Sequence, residues 1–148
     1  MAREPQGQVS ADLDMLTCDL IGEALDVLAA GPLEGVVATV LDDDRTRFTC
    51  SFEEDSPEEC LDGARQWVAD LGRGAKKQDG VGAPRCYALA YQGAVDLGSG
   101  YADALIVEFG ERGNQTDYSA HLELQGIGRG DRLRWTDPAP AGELDPLL

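Results

Sequence analysis

The stretch DALIVEFGERGNQTDYSAHLEL, residues 103–124, decides the fold. Two runs rich in β-branched and aromatic residues flank Gly113-Asn114, a glycine-first pair suited to a type II′ turn, so the spacing predicts an antiparallel hairpin with those two residues at its centre. The turn then fixes the register. Phe109 faces Tyr118, Val107 faces Ala120, Leu105 faces Leu122 and Asp103 faces Leu124. Nothing in the choice of turn required the apolar residues of both strands to share a side, yet they do, as a half-buried sheet demands. The other side holds Glu108 opposite Ser119, Ile106 opposite His121 and Ala104 opposite Glu123.

His121 is the only histidine in the chain. Glu123 stands two positions along its own strand, and Glu108 lies on the diagonal, about 7–8 Å away between backbone positions. A carboxylate on each side would orient a base or hold an imidazolium, so Glu108, His121 and Glu123 form the candidate catalytic set. The same pattern also fits an ordinary polar sheet face. A general base needs a pocket and a substrate-orienting group, and the sequence shows neither, so an enzyme or small-ligand binder built on these three is the alternative reading.

Upstream, SPEECLDGARQWVADLG contains the clearest local signal. Ser56 caps the third helical N–H, Pro57 suits the first helical position, and Glu59 completes a capping box. Cys60, Leu61, Ala64, Trp67, Val68 and Leu71 then form one apolar stripe, with Gly72 as the stop. Earlier still, Ser10 caps ADLDMLTCDLIGEALDVLAA, whose Leu13, Leu16, Leu20, Ala24 and Val27 repeat at helical spacing, widened by Ile21 and Leu28. Asp12, Asp19, Glu23 and Asp26 fall on the opposite side of that helix. Between the helices, LEGVVATVL and RFTCSF read as strands joined across Asp42-Asp43-Asp44-Arg45.

Residues 73–85 read as a glycine-rich mobile connection. Beyond them, CYALAYQGAV, YADALIVEFG and DYSAHLELQG have strand character, with a further short run at DRLRW. DLGSG allows two- or three-residue turns, and the bulkier set Tyr87, Leu89 and Tyr91 is expected to face the helices. Residues 1–9 and 136–148 read as tails. The expectation is a single domain spanning 1–148 of α+β class: an antiparallel sheet of about five strands with two amphipathic helices packed on one face.

Several chemistries lack their parts. Asp42 and Asp44 have the spacing of the first two ligands of a calcium-binding loop, but Arg47 stands where that loop needs glycine. Asp103 and Glu108 match part of a restriction-endonuclease pattern, with Gly110 in place of its lysine. GIGRGD, residues 126–131, lacks nucleotide-binding spacing and is followed by RLRW. Cys18, Cys50, Cys60 and Cys86 contain no C-x-x-C and no chelating pair, so free thiols are expected, with no metal and no cofactor. No apolar run nears the roughly 18 residues of a membrane span, and the start lacks a secretory pattern, so a cytoplasmic protein is expected.

The net charge of −16 is unevenly placed. Residues 1–62 hold sixteen acids against three arginines, whereas residues 63–148 hold twelve acids against nine bases. Such a field repels nucleic acid and anionic membrane and attracts cationic partners. The preferred functional reading is therefore a non-catalytic acidic protein-interaction module for a cationic protein. Its expected contact residues are Asp19, Glu23, Asp26, Asp42, Asp43, Asp44, Glu53 and Glu54, and an open edge strand would allow a homodimer. The motifs Tyr87-x-Leu89, Asp103-Ala104, Val107-Glu108 and Glu111-Arg112-Gly113 resemble a pattern in small bacterial proteins of no known activity. The resemblance spans about residues 86–125 and implies no reaction.

Overall fold

In the computed structural model, which describes residues 9–54 and 56–148, the chain alternates helices with antiparallel strands. The order is α1 (Ala11–Ala30), β1 (Val36–Asp42), β2 (Arg47–Phe52), α2 (Pro57–Arg73), β3 (Pro84–Asp96), β4 (Tyr101–Glu111), β5 (Asp117–Gln125), β6 (Arg134–Trp135) and β7 (Ala139–Leu144). The strands lie in the order β2-β1-β3-β4-β5-β6, and β7 also pairs with β5, so the sheet exceeds the expected five strands. The class is α+β, with every pairing antiparallel.

The β4–β5 register is the one read from the sequence, with Phe109 opposite Tyr118, Val107 opposite Ala120 and Leu105 opposite Leu122. Its closing segment is longer than a two-residue turn: β4 runs to Glu111 and β5 begins at Asp117, with Gly113 at φ +94° and the Asn114 N–H on the Glu111 carbonyl at 3.1 Å. The β3–β4 hairpin is likewise longer than expected. Asp96 faces Tyr101 across four residues, and the Leu97 N–H donates to the Gly100 carbonyl.

The two helices do not share a face. Leu20, Ala24 and Leu28 of α1 pack with Ala88, Ala90, Leu105, Val107 and Leu122. Ala64, Trp67, Val68 and Leu71 of α2 pack with Val36, Ala38, Val40, Tyr87 and Leu89. Successive residues of a strand point to opposite sides, so Ala88 under α1 and Tyr87 and Leu89 under α2 place the helices on opposite faces of β3. Residues 86–90 are accordingly buried without interruption. Small alanines line the α1 side, and the bulky set Tyr87, Leu89 and Tyr91 lies on the α2 side.

Both helix starts follow their caps. Ser10 Oγ accepts from the Leu13 N–H at 3.1 Å, and Ser56 Oγ accepts from the Glu59 N–H at 3.2 Å. In α1 the buried sector rotates along the helix, so Leu25 and Leu28 are buried at its end, whereas Val27, expected in the stripe, is 47% exposed. In α2 the stop is Gly74 at φ +76°, two residues past the expected Gly72. Gly72 serves packing instead, because a Cβ there would come within 2.7 Å of the Leu148 side chain.

Residues 136–148, expected as a tail, supply β7 and end with Leu147 and Leu148 on the α2 core. Pro140 sits opposite Ala120 beside a register shift, a placement that an outermost strand tolerates. The connection 73–85 contains a small bridge between Gln78 and Val81, and β3 already begins at Pro84. Residues 1–8 of the expected N-terminal tail, and Asp55, lie outside the described residues. Among the described residues, no helix is long and apolar enough to cross a membrane.

Candidate functional site

The acidic residues divide into two groups, those neutralised within the chain and those left outward. Asp42 is buried, and its carboxylate closes the β1–β2 turn by accepting from the Asp44 and Thr46 N–H groups at 2.9 Å each and from the Gly82 N–H at 2.8 Å. The Gly82 bond leads in holding its carboxyl below the usual aspartate range against the opposing effect of burial, and the other two add to it. Asp43 pairs with Arg112 at 2.6 Å, and Glu23 takes both guanidinium nitrogens of Arg47 at 2.8 and 2.7 Å. Asp12 is bound by Arg85 and Arg45, and the hydrogen bond from Arg85 leads in lowering its carboxyl. Asp42 is therefore committed to the fold, whereas Glu23 and Asp43 are paired at the surface with side chains 53% and 63% exposed.

Asp19, Asp26, Asp44, Glu53 and Glu54 are exposed and have no ion pair among the described residues. On α1 the outward strip runs Met15, Asp19, Gly22 and Asp26, within about 60° of one another at 100° per residue. Met15 is 61% exposed, and nothing lies within 4 Å of where a Gly22 Cβ would stand. The strip thus combines unneutralised charge with an apolar side chain and an open stretch of backbone.

The sheet cluster is organised differently from its expectation. Glu108 is 2% exposed, and its carboxylate receives Arg65 Nε at 2.9 Å, Arg65 Nη2 at 2.5 Å and the Tyr91 hydroxyl at 3.1 Å. Arg65 comes from α2, so a helix side chain satisfies the carboxylate. Its own pKa is raised, chiefly by that hydrogen bond. Among the described residues, no hydrogen bond or ion pair joins His121 to Glu108 or Glu123. A cavity of about 240 Å³ lies between Arg65, Tyr87, Glu108, Leu144, Asp145 and Leu147, with neither His121 nor Glu123 on its wall.

A second buried carboxylate, which the sequence reading missed, lies nearby. Asp117 is 1% exposed; its Oδ2 accepts from the Tyr87 hydroxyl at 2.5 Å and from the Leu147 N–H at 3.1 Å, and its Oδ1 has no partner among the described residues. Burial raises its carboxyl, against the opposing effect of both hydrogen bonds. Burial also pushes the Tyr91 hydroxyl up to about 12 and the Tyr87 hydroxyl further still. The two phenols and the Glu108 carboxylate are donors and acceptors already spent on one another, and Asp117 Oδ1 is the buried acceptor left over among the described residues. The cavity beside them is smaller than the roughly 300 Å³ at which ligand pockets begin. The cluster's chemistry is to join α2, β3, β4, β5 and the C-terminal segment.

A larger, open cleft of about 990 Å³ lies between Phe109, Tyr118, the 113–116 loop, Pro138 and Pro140. Among the described residues Glu143 is the only carboxylate on its wall. Among the described residues, no group of three His, Cys, Asp or Glu could hold a metal ion.

No family model, curated protein or solved structure matches this chain, so the functional reading rests on its own geometry.

Proposed function

We propose that the protein is a non-catalytic acidic binding module that takes a cationic protein on the outward face of α1. The observation that carries this reading is the Met15–Asp19–Gly22–Asp26 strip, whose acids have no cation paired with them among the described residues while Arg45, Arg47, Arg65, Arg73, Arg85 and Arg112 are all held in ion pairs. An apolar anchor rimmed by charge is the common anatomy of a protein contact, and the negative field would speed encounter with a basic partner. Glu53, Glu54 and Asp44 extend the field. Four free thiols fit action in the cytoplasm, and a net charge of −16 disfavours nucleic acid. The Glu108–His121–Glu123 alternative is weakened because Glu108 is occupied by Arg65 and Tyr91.

The test compares the wild-type chain with Asp19→Lys/Asp26→Lys, both immobilised in extract of the source cells. The expected result is a basic protein retained by wild type, lost from the variant and released by moderate salt. Retention of the same proteins by both chains would overturn the reading.

A further inference from the structure

From the outer edge of β2 we infer that the chain self-associates, two copies pairing antiparallel through Arg47–Phe52 about an axis at Cys50. β2 ends the strand order and has only β1 beside it among the described residues. It has six residues with no proline and no register shift against β1, and among the described residues no strand pairs with its outer edge, where the Ser51 carbonyl takes only the Cys50 thiol at 3.8 Å. Thr49 and Ser51 are exposed, and Cys50 is a half-buried free thiol.

The sequence of this edge is complementary to itself when reversed. With Cys50 opposite its own copy, Phe48 meets Phe52, Thr49 meets Ser51 and Arg47 meets Glu53, each twice by symmetry. The two faces also match. Phe48 and Phe52 lie on the α2 side, where both rings pack against Trp67 at 6.1 and 5.6 Å, while Arg47, Thr49 and Ser51 alternate to the other side. Shifting the axis to Thr49 pairs Arg47 with Ser51 and Phe48 with Cys50, losing the aromatic match. An axis between Thr49 and Cys50 sets Arg47 against Phe52. Glu53 is exposed and has no ion pair within its own chain among the described residues, whereas the Arg47 guanidinium already holds Glu23 and Thr39, so the register rests on the aromatic match.

This association responds to salt in the opposite sense to the α1 contact. Two chains of −16 repel at long range, so screening tightens the homodimer, whereas it weakens a complex with a cationic protein. The experiment is sedimentation equilibrium of the full chain over a concentration series, with Glu53→Arg as the variant and circular dichroism to confirm folding. The expected result is a mass rising from 15.8 kDa toward twice that value. Glu53→Arg should weaken association about threefold, since it sets a second arginine opposite the Glu23-paired Arg47 at two symmetric positions. Oxidative crosslinking in a Cys18→Ser background should trap the dimer through Cys50 and fail in Cys18→Ser/Cys50→Ser. A monomer at every concentration, or a dimer indifferent to Glu53→Arg and not trapped through Cys50, would overturn the inference.

Discussion

Arg65→Met removes the cation from a carboxylate that the fold has taken out of water. Glu108 is 2% exposed and loses two of its three donors, keeping only the Tyr91 hydroxyl. Breaking a buried pair by deleting one partner costs about 3–5 kcal/mol. The Arg65 side chain is itself 36% exposed, so water can reach the vacated position, and the lower end, about 3 kcal/mol, is the appropriate figure. Unfolding entropy of about 2.1 cal/mol/K per residue gives about 0.3 kcal/mol/K for this length, so the melting temperature should fall by about 10 °C. Differential scanning calorimetry at neutral pH measures it. Arg65→Met/Glu108→Leu should recover most of the loss, because removing both charges leaves none stranded. A fall under about 3 °C for the single variant, or a double variant no more stable than the single, would refute the claim that this pair ties α2 to the sheet.

Gly110→Ala drives a Cβ into the Asp117 carboxylate, and overpacking of that kind should cost about 1–3 kcal/mol in a urea titration, with an unchanged midpoint contradicting the close approach. Asp42 has a lowered carboxyl, so the stability it contributes is present above the ordinary aspartate range and is lost as pH falls through that range and below it. Melting temperature against pH should therefore show a shallower acid limb for Asp42→Ala than for wild type, and parallel limbs would contradict the turn-closing role. Ser56→Ala should cost about 1 kcal/mol by removing the α2 N-cap, and an unchanged unfolding midpoint would place the start of the helix elsewhere.

The features legible in the sequence were those set by short-range rules. Residues 103–124 specify their own register because one slip would reverse the faces, and the S-x-x-E box specifies where α2 begins. The side of the sheet each helix covers was not legible, because an amphipathic stripe says that one face is buried and not against what. Residues 86–90 contain the clue, a strand run apolar at every position and buried on both sides. Arg65 interrupts the Leu61–Val68 side of the α2 stripe, a signal that a buried acid lay opposite. Asp117 gave no such signal, since at the start of the DYSAHLELQG run it falls on the polar side of the hairpin. β7 was hidden by Pro138, Pro140 and Gly142, residues that suit an outermost strand as well as a tail.

The central claim is that α1 presents the binding surface, and the most direct measurement is the association rate of a captured partner against ionic strength. Wild type should bind fast at low salt and slow steeply as the Debye length shortens from about 10 to 3 Å. Asp19→Lys/Asp26→Lys, which leaves the Glu23–Arg47 pair in place, should bind more slowly and with a flatter dependence. Equal rates and equal salt slopes for the two chains would contradict the account.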